Sequence, residues 1–87
     1  MIDPIISKQV YTRDGWKCRH CSSRNNLTPH HLVYRSHGGE DTINNLVTLC
    51  MQCHDAHHNK VLHINFYETI SNTVVVTFTR LNNWRPK

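Results

Sequence analysis

Apolar and polar positions divide the chain into short segments with different periods. Ile5, Ile6 and Val10, with Gln9 and Arg13 beside them, follow a helical spacing that Asp14-Gly15 interrupts. This predicts a short N-terminal helix over Ile5–Arg13, with Met1–Pro4 as a loose end. Trp16 stands next to the first cysteine pair and is expected to cover the core. Ser22–Asn26 is rich in turn formers. Leu27–Tyr34 reads as a short strand carrying His30 and His31. Neighbours on a strand face opposite sides, so these two histidines should do different jobs. His37–Asp41 is a polar loop with the freedom of two glycines. Leu46–Leu49 is a short apolar strand or turn, and Cys53–Asn59 looks helical. After Lys60 the period drops to two. Leu62, Ile64 and Phe66 alternate with His63, Asn65 and Tyr67, Ser71-Asn72 supplies a turn, and Val74–Thr79 is strongly β-prone. The reading is a C-terminal hairpin with an irregular end near Pro86.

Eighty-seven residues allow one small domain over residues 1–87. A core of that size stabilises weakly, so a staple is expected. The longest apolar run, Val74–Val76, cannot span a membrane, and Met1–Val10 lacks the basic start and apolar stretch of a secretory leader. The expected setting is the cytoplasm, where paired cysteines favour metal over disulfides. The formal charge of +4 suits a polyanion such as nucleic acid. Six acidic residues form no close pair built for carboxylate chemistry, which leaves the eight histidines as the candidate reactive groups.

Cys18-x-x-Cys21 and Cys50-x-x-Cys53 are separated by 28 residues. Two such knuckles can direct four thiolates at one tetrahedral zinc, at roughly 2.3 Å each. Two disulfides or a redox dithiol compete with that reading. The matched spacings and the absence of any sign of secretion favour a closed, structural zinc.

His54 and His58 lie one turn apart on the expected helix, and His30 can close the set from the facing strand. Three imidazoles suit a borderline transition metal and leave coordination positions open for a phosphate oxygen and water. His31, facing away from this set, is the candidate general base, because imidazole exchanges protons near neutral pH. An asparagine beside Leu46 could tie the loop to the backbone, and residue chemistry alone does not choose between Asn44 and Asn45. Lys17, Arg19, Arg24 and Lys60 are candidates for contacts with a nucleic-acid backbone. His20, His37, His57 and His63 read as surface or supporting residues.

HHLVYRSHGGEDTINNLVTLCMQCH, starting at His30, resembles the HNH endonuclease motif in its zinc-knuckle form. The similarity runs from about Trp16 to His58, within a core motif at 16–59. The resemblance implies a small α+β protein of the ββα-metal fold, stapled by Cys18, Cys21, Cys50 and Cys53, with the N-terminal helix and C-terminal hairpin added. It implies that His30, His54 and His58 bind a catalytic divalent ion (Mg²⁺, Mn²⁺, Ni²⁺ or Zn²⁺), that His31 is the base, and that the motif asparagine is Asn45. Arg35 is then placed to touch a phosphate, although a solvated loop cation reads nearly as well. DNA is the implied substrate, cut to 5′-phosphate and 3′-hydroxyl ends, and phage or mobile-element settings, with a phage or host protein partner, go with such small members. A non-catalytic zinc ribbon binding nucleic acid or protein is the alternative. It explains the cysteines and the charge but not the four histidines together.

Overall fold

The computed structural model describes residues 2–71 and 73–86. Met1, Asn72, Lys87 and the Phe66 side chain lie outside what is described, and with them part of the turn expected at Ser71-Asn72. Helix α1 spans Pro4–Arg13. Its start differs from the expected loose end. Asp3 caps it by accepting a bond from the Ile5 amide at 2.8 Å, and Pro4 sits in the first turn, where its missing N–H costs nothing.

Strand β1 (Leu27–His31) pairs antiparallel with β2 (Leu46–Cys50), placing Leu27 opposite Cys50 and His31 opposite Leu46. β1 stops short of Tyr34 because the chain turns into a single 3₁₀ turn at Arg35–His37. Every residue of β2 is buried, since α1 packs on it and helix α2 (Met51–His58) follows it directly and folds back. β1, β2 and α2 form the expected ββα unit. A second sheet follows, the hairpin of β3 (Leu62–Ile70) and β4 (Thr73–Arg80). The simple alternation expected for β3 breaks at Asn65. Ile64 pairs with Phe78 and Phe66 with Thr77, so one residue is bulged out and Tyr67, not Phe66, comes opposite Val76.

The core forms around sulfur. Cys18, Cys50 and Cys53 are buried with Val47, Leu49, Ala56 and Leu62, and Val76, Phe78 and Trp84 pack against them. Trp16 does not cover this core as expected. It takes a left-handed φ of 56°, lies beside Tyr11 with the two rings tilted by 51°, and stays 45% exposed. Trp84, near the irregular end, takes the covering role instead.

Asp14, which stops α1, is the polar centre of the fold. Its buried carboxylate accepts bonds from Arg13 (2.8 and 3.0 Å), Arg19 (2.8 Å) and the Thr48 amide (2.9 Å). Arg13 also donates to the carbonyls of Ile43 and Leu46, and Arg19 to that of Val74. This hub ties α1, the first knuckle, β2 and β4 together. Burial alone would raise the Asp14 pKa, but the Arg13 and Thr48 bonds outweigh it and hold the carboxyl below its ordinary value. Arg19 is thereby committed to the fold rather than free for nucleic acid. No helix among the described residues is long and apolar enough to cross a membrane.

Candidate metal centres and active face

The first knuckle turns on itself through Ser22, whose amide bonds the Cys18 carbonyl at 2.9 Å with φ at 67°. The second follows from β2 running into α2, which carries Cys50 and Cys53 into the core. The four sulfurs lie within 4.8 Å of one another, with Cys21 and Cys50 Sγ 3.6 Å apart. Sulfurs on one tetrahedral zinc stand about 3.8 Å apart, whereas a disulfide brings them to about 2.05 Å. All four cysteines are free. The amides of His20 and Cys21 point at Cys18 Sγ. The Cys53 thiol donates to Cys18 and holds it down to about 4, burial pushes Cys21 up to about 11, and the neighbouring Cys18 raises Cys53. Four thiolates cannot share this space without a cation, so the donor set is compatible with structural zinc. His20, expected as a surface or supporting residue, takes the supporting place: it lies against Trp84 and Phe78 with Nδ1 3.3 Å from Cys53 Sγ.

The histidine pair divides as the strand geometry requires. His30 is 2% exposed and meets His54 and His57 of α2, while His31 meets Asp41 of the following loop. One nitrogen each from His30, His54 and His58 fall within 4.8 Å of one another. His30 Nδ1 is 3.3 Å from His54 Nδ1, and His54 Nε2 is 3.0 Å from His58 Nε2. Two nitrogens on one tetrahedral ion stand about 3.3 Å apart, and because one imidazole offers an ion a single nitrogen, only one of the two His54 contacts can be a ligand–ligand spacing. Burial, reinforced by the neighbouring imidazoles, pushes His30 down to about 3, and burial also lowers His54. These rings are therefore neutral, the form that binds a metal. Three soft-to-borderline donors at such spacing fit a divalent transition ion.

His31 Nε2 lies 2.6 Å from Asp41 Oδ1. Asp41 is also gripped by Arg35, Nε at 2.9 Å and Nη2 at 2.5 Å, and these bonds, Arg35 first and then His31, hold its carboxyl down to about 2. An open cleft of about 610 Å³ is lined by Pro29, His31, Tyr34, Arg35, His54 and His58. The loop behind it depends on two residues. Asn45 accepts from the Val33 amide (2.8 Å) and donates to the carbonyls of Val33 (3.0 Å) and Glu40 (2.9 Å), while Asn44 is exposed. Gly39 packs so closely on Val33 that an added Cβ would fall 1.8 Å from its carbonyl oxygen.

Three participants escape a reading of the sequence by type alone. Asp41 is one of several loop acids. Tyr34 lies beyond the strand. His57, expected only as a surface or supporting residue with no stated partner, stands against the cluster: its Nδ1 is 3.0 Å from His30 Nε2 and 2.9 Å from the Tyr34 hydroxyl. The available signal was its i+3 spacing from His54, which puts it on the same helix face.

A sequence model of the HNH endonuclease family matches residues 18–60. A Nostoc sp. protein named Anaredoxin is 36% identical over 61 residues, which cover 69% of this chain and 80% of that protein. The chain belongs to the HNH endonuclease family. No solved structure matches it. HNH domains are generally nucleases and generally bind DNA, and the HNH match spans both cysteine knuckles and every histidine of the cluster.

Proposed function

We propose that this HNH chain is a metal-dependent endonuclease that hydrolyses DNA phosphodiester bonds, folded around zinc on Cys18, Cys21, Cys50 and Cys53. The observation that carries this reading is the division of the histidine pair. His30 joins His54 and His58, while His31 opens on the same cleft with a carboxylate behind it.

A divalent ion held by His30, His54 and His58 would, when bound, offset charge growing on the phosphate oxygens. The chain's own residues supply the rest. Asp41 accepts from His31 Nε2, which fixes the proton there and leaves Nδ1 with its lone pair. That nitrogen takes a proton from the attacking water, and Asp41 steadies the imidazolium that results. Asn45 holds the loop that carries Asp41 against the strand that carries His31. Arg35, exposed at the mouth of the cleft, uses Nε and Nη2 on Asp41, and its remaining donors can meet a phosphate. One such site cuts one strand per visit.

Plasmid nicking with Mg²⁺, Mn²⁺, Ni²⁺ or Zn²⁺, against EDTA, tests the reading. His31→Ala should lower cleavage by about 10²–10⁴-fold while zinc content and fold persist. Cleavage at the wild-type rate would remove His31 from the chemistry. Binding without cleavage under every metal would leave a non-catalytic zinc module.

A further inference from the structure

His57 is the fourth imidazole of the cluster and has no part in the reaction above. Helix α2 presents His54, His57 and His58 on one face toward β1. His30 stands between them. Its Nδ1 faces His54 at 3.3 Å, and its Nε2 faces His57 Nδ1 at 3.0 Å. The two nitrogens of this buried ring therefore have different neighbours. Tyr34 closes the arrangement: its hydroxyl is 2.9 Å from the same His57 nitrogen, and its ring lies parallel to that of His58, 9° between planes.

We propose that His57, held by Tyr34, is the positioning residue that fixes the tautomer and orientation of His30 for metal binding. The inference rests on the reading that His30, His54 and His58 hold the ion. A neutral imidazole carries one N–H. When the Nδ1 lone pair of His30 serves as a ligand, the proton must sit on Nε2, and a buried N–H needs an acceptor. His57 Nδ1 is that acceptor. In many metal sites a carboxylate or carbonyl takes the hydrogen of a ligating histidine, and its loss weakens the metal by about 10–100-fold. Here a second imidazole occupies that place, so the support stays uncharged beside an already crowded set of histidines. The single lone pair of His57 Nδ1 is shared between His30 Nε2 and the Tyr34 hydroxyl, so the two donors together set the angle of the His57 ring, and through it the angle of His30.

The test is Ni²⁺ titration of the zinc-loaded chain by calorimetry, with zinc content checked before and after. Four variants are compared with wild type: His54→Ala, His57→Ala, His57→Phe and His57→Asn. His54→Ala should lose the Ni²⁺ site. His57→Ala and His57→Phe should bind about 10–100-fold more weakly. His57→Asn should recover most of the affinity, because its amide oxygen can accept from His30 Nε2. His57→Phe keeps the ring volume, so it also stands in if the alanine variant does not fold. Wild-type affinity in His57→Phe would show that the ring only fills space and would overturn the proposal. Equal loss in His57→Asn and His57→Ala would make His57 a ligand instead, and would overturn it as well. Wild type that binds no Ni²⁺, or binds it unchanged after His54→Ala, would overturn the three-histidine site itself and this inference with it.

Discussion

Cys53 and His54 are adjacent on α2, yet one belongs to a closed cluster and the other to an open one. Three of the four cysteines are buried, and their sulfurs meet one another, the core, the His20 ring and the amides of the first knuckle. Of the three histidines only His30 is buried, His58 is exposed, and a cleft runs past them. Both clusters take residues from a β strand or knuckle and from the same eight-residue helix. The difference lies in what completes the donor set. Four thiolates satisfy a tetrahedral ion and leave no room for substrate, whereas three imidazoles leave a position vacant. The closed cluster also forms the base on which the open one stands, because Cys50 and Cys53 join the start of α2 to the first knuckle, beside the bond from the Met51 amide to the Asn26 carbonyl.

That dependence gives the largest expected effect. Removing the structural zinc with a strong chelator should unfold the chain, because such sites contribute on the order of 10–16 kcal/mol of apparent binding energy, more than a core this small supplies. Far-ultraviolet circular dichroism and cleavage should be lost together and return together on adding zinc. A chain that kept its melting transition without zinc would break the proposed dependence of the histidine face on the cysteine side.

Asp14→Asn is expected to cost less and to sharpen the comparison, since Asp14 bonds on the cysteine side and none of its contacts reach the histidines. Removing a buried carboxylate from two arginines costs about 3 kcal/mol. The sign of its pH dependence follows from a folded pKa held below the ordinary 3.8. The stabilisation is complete above 3.8 and is lost only as pH falls through the lower folded value. The gap in melting temperature between wild type and Asp14→Asn should therefore be constant from pH 7 to pH 5. A gap that already narrows in that range would mean that Asp14 is not held ionised by its partners.

The two clusters of donor side chains were legible because local spacing survives folding: Cys-x-x-Cys keeps two sulfurs close together, and i, i+4 histidines share a helix face. The ββα order and the hairpin were legible from changes of period. Residues whose role depends on a distant partner were not. Asp14 reads as a helix stop until Arg19 and Thr48 arrive from other segments. Asp41 reads as one acid in a loop until Asn45 and Gly39 fold that loop onto Val33. Bulging at Asn65 depends on how β3 meets β4 across the turn, which local alternation does not record. Trp16 illustrates the same limit. Its size suggested core, but a left-handed backbone at that position turns it outward.

The two tryptophans supply the smallest effect and a check on what closes the cysteine cluster. Trp84 stacks on His20, which reaches Cys53 Sγ, and packs against the core from the chain's far end. Trp16 is closer in sequence to Cys18 but touches Tyr11 from outside. Trp84→Ala should lower stability by about 2 kcal/mol, given its partial burial, and should speed transfer of zinc to a competing chelator, because the His20 ring loses its cover. Trp16→Ala should cost at most about 1 kcal/mol, the worth of an exposed aromatic pair, and leave zinc transfer unchanged. Thermal melts and a chromogenic chelator measure both. If Trp16→Ala released zinc as fast as Trp84→Ala, the cluster would be closed by its nearest neighbour in sequence, and the C-terminal end would have no part in keeping the two sides of α2 different.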